Sequence, residues 1–156
     1  MANTAALCTS FKSELLNGSH AFGAQAANGT RTVTTKDGFK LALFLATASL
    51  GAATTAYSTT GELAATGGYT AGGVAVTNAT APTTSGTTAF WTPSASASWS
   101  SFTSSGSFDA ALLWNTSSTG SLAVAVFTFA AQSITSGTFS LTMPTNDASN
   151  GLIRVA

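Results

Sequence analysis

Leu122-Ala123-Val124-Ala125-Val126-Phe127-Thr128-Phe129 is the stretch whose reading decides the fold of this chain. Leu122, Val124 and Val126 alternate with Ala123, Ala125, Phe127 and Phe129. Successive strand residues point to opposite faces, so apolar residues in both sets describe a central strand covered on two sides. A second sheet and a helix could supply that cover, or another subunit could.

Outward from this strand the same texture repeats. Strands are predicted over Val74 to Thr80, Thr87 to Thr92, Ala97 to Phe102, Phe108 to Asn115, Ser121 to Phe129, Phe139 to Met143 and Leu152 to Val155. Breaks fall at Pro82, Ser85-Gly86, Pro93, Ser104-Ser105-Gly106, Ser117 to Gly120, Ser136-Gly137 and Pro144. That spacing is the signature of an antiparallel β-sandwich or jelly roll. Phe39 to Ala46 adds an earlier strand after a turn at Lys36-Asp37-Gly38, with Phe39, Leu41, Leu43 and Leu45 on one face. Before it, Thr9 or Ser10 can cap a short helix whose apolar face is Phe11, Leu15 and Leu16, ended by Asn17-Gly18. The expected fold is therefore all-β, with one short N-terminal α-helix. Residues 1-35 form a helix and extended arm and residues 36-156 the β-sandwich, a single domain overall. From Ser19 to Thr30 the chain reads as an extended connection anchored by Phe22. Ser49 to Gly73 is long for a connection, and loops of that length are usually functional, ordered by a partner, or contain a short helix.

A chain of 156 residues with 44% hydrophobic residues, ten Phe, three Trp and two Tyr can bury one core without a metal or disulfide. Ala, Ser and Thr make up half of the chain, and only 6% is charged. Five basic residues (Lys12, Arg31, Lys36, Lys40, Arg154) balance five acidic ones (Glu14, Asp37, Glu62, Asp109, Asp147). No field is left to attract nucleic acid or anionic lipid. So few charges leave little to repel a neighbouring copy, which describes a surface made to touch something; the other reading is that Ser and Thr hydroxyls keep it wet. Cys8 is the only cysteine, which excludes an internal disulfide and a Cys-based zinc site. The residues before it do not form a secretory leader. The apolar stretches Leu41 to Ala53 and Leu122 to Ala131 fall short of the ~20 residues of a membrane-spanning helix.

Candidate chemistry is sparse. His20, the sole histidine, would have to carry any Ser-His-Asp arrangement, and no Gly-x-Ser-x-Gly elbow accompanies it. Asp37, Glu62, Asp109 and Asp147 could be paired for glycosidase-type acid and base work, but isolated acids in turns normally cap backbone amides. Asp37, before Gly38, has the look of a turn residue, and Asp109 is either a buried polar contact or an edge charge. Asn146 to Gly151 has the oxygen spacing of a calcium loop without its distal Glu, so an Asx-type turn is favoured. Trp91, Trp99, Trp114, Tyr57 and Tyr69 could form a glycan-stacking platform or fill the core and a subunit interface; the structural role is preferred. The sequons at Asn17, Asn28, Asn78 and Asn115 are what this much Ser and Thr produces by chance. No catalytic residue, cofactor or metal ligand is assigned.

Taken together, Met1-Ala2-Asn3, Ser10 to Phe22, Phe39 to Phe44, Thr54 to Tyr57, Gly68 to Gly73, Ala111 to Asn115, Ala123 to Phe127, Gly137 to Phe139 and Leu152 to Ala156 resemble a family of small virion structural proteins of tailed bacteriophages. The segments run in order over nearly the whole chain, and none is a catalytic signature. The resemblance implies a non-enzymatic particle component present in many copies on the virion, made in the bacterial host cytoplasm. The leading expectation is a capsid decoration or cement protein. It would bind the major capsid protein, act as a dimeric or trimeric homo-oligomer, and make contact through the N-terminal segment and the Ser49 to Gly73 loop. A tail, neck or fibre subunit and a surface carbohydrate-binding module are the alternatives.

Overall fold

A computed structural model describes residues 2–23, 35–78 and 80–156. In chain order its elements are β1 (Ala6–Leu7), α1 (Thr9–Leu16), β2 (Phe39–Leu45), β3 (Val74–Ala75), β4 (Thr83–Ser85), β5 (Thr88–Trp91), β6 (Ala97–Phe102), β7 (Phe108–Asn115), β8 (Ala123–Gln132), β9 (Gly137–Leu141) and β10 (Ile153–Val155). All pairing is antiparallel, in a five-stranded sheet of order β1-β8-β7-β2-β3, a three-stranded sheet β10-β5-β4 and a two-stranded sheet β6-β9. The fold is all-β and sandwich-like, with one short helix, as the alternation predicts.

The central strands are buried on both faces because β2 and β7 bring two apolar rows into register. Leu41 faces Leu113 and Ala42 faces Leu112, and all four are fully buried. Each such Leu contributes roughly 1.5–3 kcal/mol of burial. Phe39, on one face, stacks on Phe22 at 4.6 Å and lies 5.8 Å from Trp91. Trp114, on the other, stacks on Tyr57 at 4.3 Å. The arm and β5 thus cover one face, and the Ser49 to Gly73 segment helps cover the second. No second subunit is needed to bury the centre of the sheet.

Several local expectations change. α1 begins after Cys8, an extended residue, without a side-chain cap from Thr9 or Ser10; Asn17 caps its end, with Gly18 at φ +70°. Lys36-Asp37-Gly38 is not a turn: the Asp37 amide donates to the Ala21 carbonyl and its carboxylate accepts from the Ala21 amide, both at 2.8 Å, clamping the arm. The arm is part of the sheet, since β1 pairs with Val126 and Ala125 of β8. The strand predicted over Val74 to Thr80 stops at Ala75, because Asn78 and Thr80 turn their oxygens onto the Trp91 Nε1. β4 is unanticipated and is joined to β5 by Gly86-Thr87, with Gly86 at φ +57°; a two-residue hairpin loop needs a positive φ there. Ser49 to Gly73 contains no helix. Instead Glu62 bridges to Phe44 and Ala56 to Leu122. Residues 24–30 of the predicted extended connection, and Arg31, lie outside the described residues.

Candidate functional site

Glu62 lies in the Ser49 to Gly73 segment at 7% exposure. Its Oε1 accepts from the Tyr69 hydroxyl and the Gly72 amide, both at 2.7 Å, and its Oε2 from the Tyr57 hydroxyl at 2.6 Å. The Tyr69 oxygen accepts in turn from the Leu43 amide at 2.9 Å, tying the cluster to β2. Trp114 Nε1 donates to the Gly72 carbonyl at 3.2 Å. Gly73 is at φ +75°, and a side chain there would run into the Leu41 carbonyl. Burial first, and the bond to Glu62 second, push both tyrosine hydroxyls well above their ordinary value, so they remain donors. Among the described residues no cation sits within ion-pair distance of Glu62. Three short donors offset the cost of burying the carboxylate instead. Every bond turns inward, and the arrangement holds a long connection against the sheet.

A second polar chain links the arm to β7. Glu14 Oε2 meets His20 Nε2 at 2.9 Å, His20 Nδ1 meets Asn115 Nδ2 at 3.0 Å, and Asn115 Nδ2 donates to Asp37 Oδ2 at 2.7 Å. Asn115 Oδ1 accepts from the amides of Ser117 and Ser118. Asn115 is fully buried and uses both amide hydrogens and both carbonyl lone pairs, which leaves it no freedom to flip. Its N–H fixes His20 Nδ1 as the acceptor and Nε2 as the proton carrier, an assignment made from the network. The His20 side chain is fully buried, and both of its ring nitrogens are engaged, Nε2 by Glu14 and Nδ1 by Asn115. The structure therefore brings Glu14, His20 and Asp37 together, a grouping the sequence did not suggest. The sequence carried no signal for it beyond the scarcity of ionisable residues in the chain.

The remaining candidates disperse. Asp109, half-buried, accepts from Asn3 Nδ2 at 2.6 Å, so of the two readings left open it is a polar contact, and Asn3 also holds the Leu45 carbonyl and Leu50 amide. Asp147 builds the Asx-type turn: its Oδ1 accepts from the Ser149 and Asn150 amides, and bonds from Asn150 hold its carboxyl below the usual range. Among the described residues no group of three or more His, Cys, Asp or Glu could hold a metal ion. Asn78 and Asn115 are buried, which closes two sequons; Asn28 lies outside the described residues. An open cleft of about 330 Å³ is lined by uncharged groups including Thr92, Ser96, Met143 and Asn146. No described helix is long and apolar enough to cross a membrane.

The aromatic platform does not exist as a surface. Trp91, Trp99, Trp114 and Tyr69 are between 2% and 8% exposed, and Tyr57 alone is half-buried. Trp91 Nε1 has two acceptors, Asn78 Oδ1 at 3.1 Å and the Thr80 carbonyl at 3.0 Å, whereas the buried Trp99 Nε1 has none. Removing a satisfied buried donor strands its acceptors, while removing an orphan relieves a penalty of about 1–3 kcal/mol. Trp99→Phe is accordingly expected to cost at least ~1 kcal/mol less stability than Trp91→Phe in urea unfolding, despite the same change in volume. Equal costs would mean that Trp99 has a partner.

Cys8 is fully buried, and burial, followed by the charge of Glu14, pushes its thiol up to about 11. In the folded chain it is expected not to react with a thiol reagent at pH 8, and to react at once in denaturant. Because the unfolded thiol ionises first as pH rises, stability is full below pH 9 and declines toward pH 11. The raised tyrosines add to the decline in the same direction. A urea midpoint no lower at pH 10.5 than at pH 8 would contradict this.

Comparison of the chain with protein-family models, curated proteins and solved structures finds no match in any of the three.

Proposed function

We propose that this chain is a structural protein of a tailed-bacteriophage virion, working as a capsid decoration or cement protein. One observation carries the reading beyond the ordered resemblance. Between Glu62 and Asp147 the only charged residue is Asp109, so the strands from β3 to β9 present a nearly charge-free body suited to lying against other protein. The role is mechanical. Contacts spanning neighbouring capsid subunits add interface area to the closed shell, and each added contact multiplies the affinity of the others. The buried aromatic rings, the closed Glu62 cluster and the saturated His20 chain fit a scaffold better than a glycan-binding or catalytic surface. The Ser49 to Gly73 segment, pinned by Glu62, would offer a preformed contact surface, which lowers the ordering cost of binding.

Imaging purified particles tests the reading. Density for the chain on the outer face of the head, at local three-fold or quasi-six-fold sites, is the expected result. Density in a tail or neck ring would replace decoration with the alternative virion role, and absence of the chain from particles would overturn both.

A further inference from the structure

Among the described residues no strand pairs with the outer edge of the distal half of β8. β1 reaches only Ala125 and Val126, so from Phe127 to Gln132 no strand lies on the side of β8 away from β7 among the described residues. Phe127 and Phe129 are half-buried there, while Thr128, Ala130 and Ala131 are exposed. Gln132 turns its own amide onto the Ala130 carbonyl at 2.8 Å, an exposed bond that a neighbouring strand's N–H could replace. Edges of this kind are normally guarded by Lys, by Pro or by an inward charge. β8 carries none of these, and Asp109 on the neighbouring β7 is engaged by Asn3. The register shift opposite Phe108 and Ala110 adds local twist without adding charge.

We propose that this edge pairs antiparallel with the same edge of a second copy, giving a two-fold dimer in which the five-stranded sheet continues across both chains. Charge selects the occupant. In a two-fold contact each patch meets itself, so any charged group near the axis would face its like; this edge has nothing to repel. A charged partner, by contrast, would find no counter-charge here. Main-chain bonds supply the pairing, and cover for the Phe127 and Phe129 rings adds apolar burial. The proposal goes beyond the proposed function and is independent of where the protein sits on a particle.

Sedimentation of the purified full-length chain tests it, and a failure there leaves the imaging result untouched. The wild-type chain is expected to be dimeric at micromolar concentration. Thr128→Lys and Ala130→Lys, whose new side chains are solvated in a monomer, are expected to raise the dissociation midpoint at least about tenfold. Thr84→Lys on the exposed polar strand β4 should leave it unchanged, and circular dichroism and thermal melts should show all three variants folded. Where a lysine variant melts early, Thr128→Glu at the same position serves as the second probe. A monomeric wild-type chain overturns the proposal, as does a dimer indifferent to residues 128 and 130 or one dissolved by Thr84→Lys.

Discussion

Replacing Glu62 with alanine is expected to cost about 3–5 kcal/mol, among the largest effects of any single change in this chain. The carboxylate is the common acceptor for the Tyr57 and Tyr69 hydroxyls and the Gly72 amide. Its removal leaves the last two as buried donors with nothing to bond, each penalised by about 1–3 kcal/mol. For a chain of this length that corresponds to a fall in melting temperature on the order of 10 °C. Glu62→Gln keeps the shape but turns one acceptor into a donor facing donors, so it should lie between alanine and wild type. The loss should be accompanied by faster proteolysis within Ser49 to Gly73, because the cluster is what ties that segment to Leu43 and Trp114. An alanine variant within 1 kcal/mol of wild type would remove Glu62 from its role as the clasp.

Asn115→Asp is expected to destabilise by a similar amount, about 3–5 kcal/mol, although it exchanges a single NH₂ group for an oxygen. The new oxygen would face the Asp37 carboxylate and the lone pair of His20 Nδ1, where the amide now donates to both. Because Asn115 is fully buried, water cannot relieve the repulsion. The cause is specific and can be tested by exchange. Asp37→Asn added to Asn115→Asp restores a donor between the two positions, so the double variant should recover part of the loss in a urea double-mutant cycle. Strict additivity would show that the two side chains do not communicate.

The legible parts of this protein are those where one physical signal decides the local structure. Ala97–Phe102 and Phe108–Asn115 are strands at the boundaries expected from alternation and flanking Ser and Gly, and Leu122 to Phe129 lies within or beside β8. The short strands β1 and β4 were not legible, since two or three residues carry no period and exist only because a longer neighbour offers its edge. Asp37 read as a turn residue because Asp-Gly usually is one; its partners, Ala21 and Asn115, lie far away in sequence. The Ser49 to Gly73 segment read only as a long connection, yet its Leu63 and Tyr69 are buried.

The sequence by itself determined the fold class, the near absence of charge and the sparse scatter of ionisable groups, because composition and two-residue periodicity are local properties of the chain. Only the tertiary structure decided which isolated groups meet. Glu62 gains two tyrosines and a backbone amide, His20 gains Glu14 and Asn115, and Trp99 gains no partner for its N–H. Those outcomes depend on strand order and register, which set what lies across from a residue and leave no trace in the residues beside it.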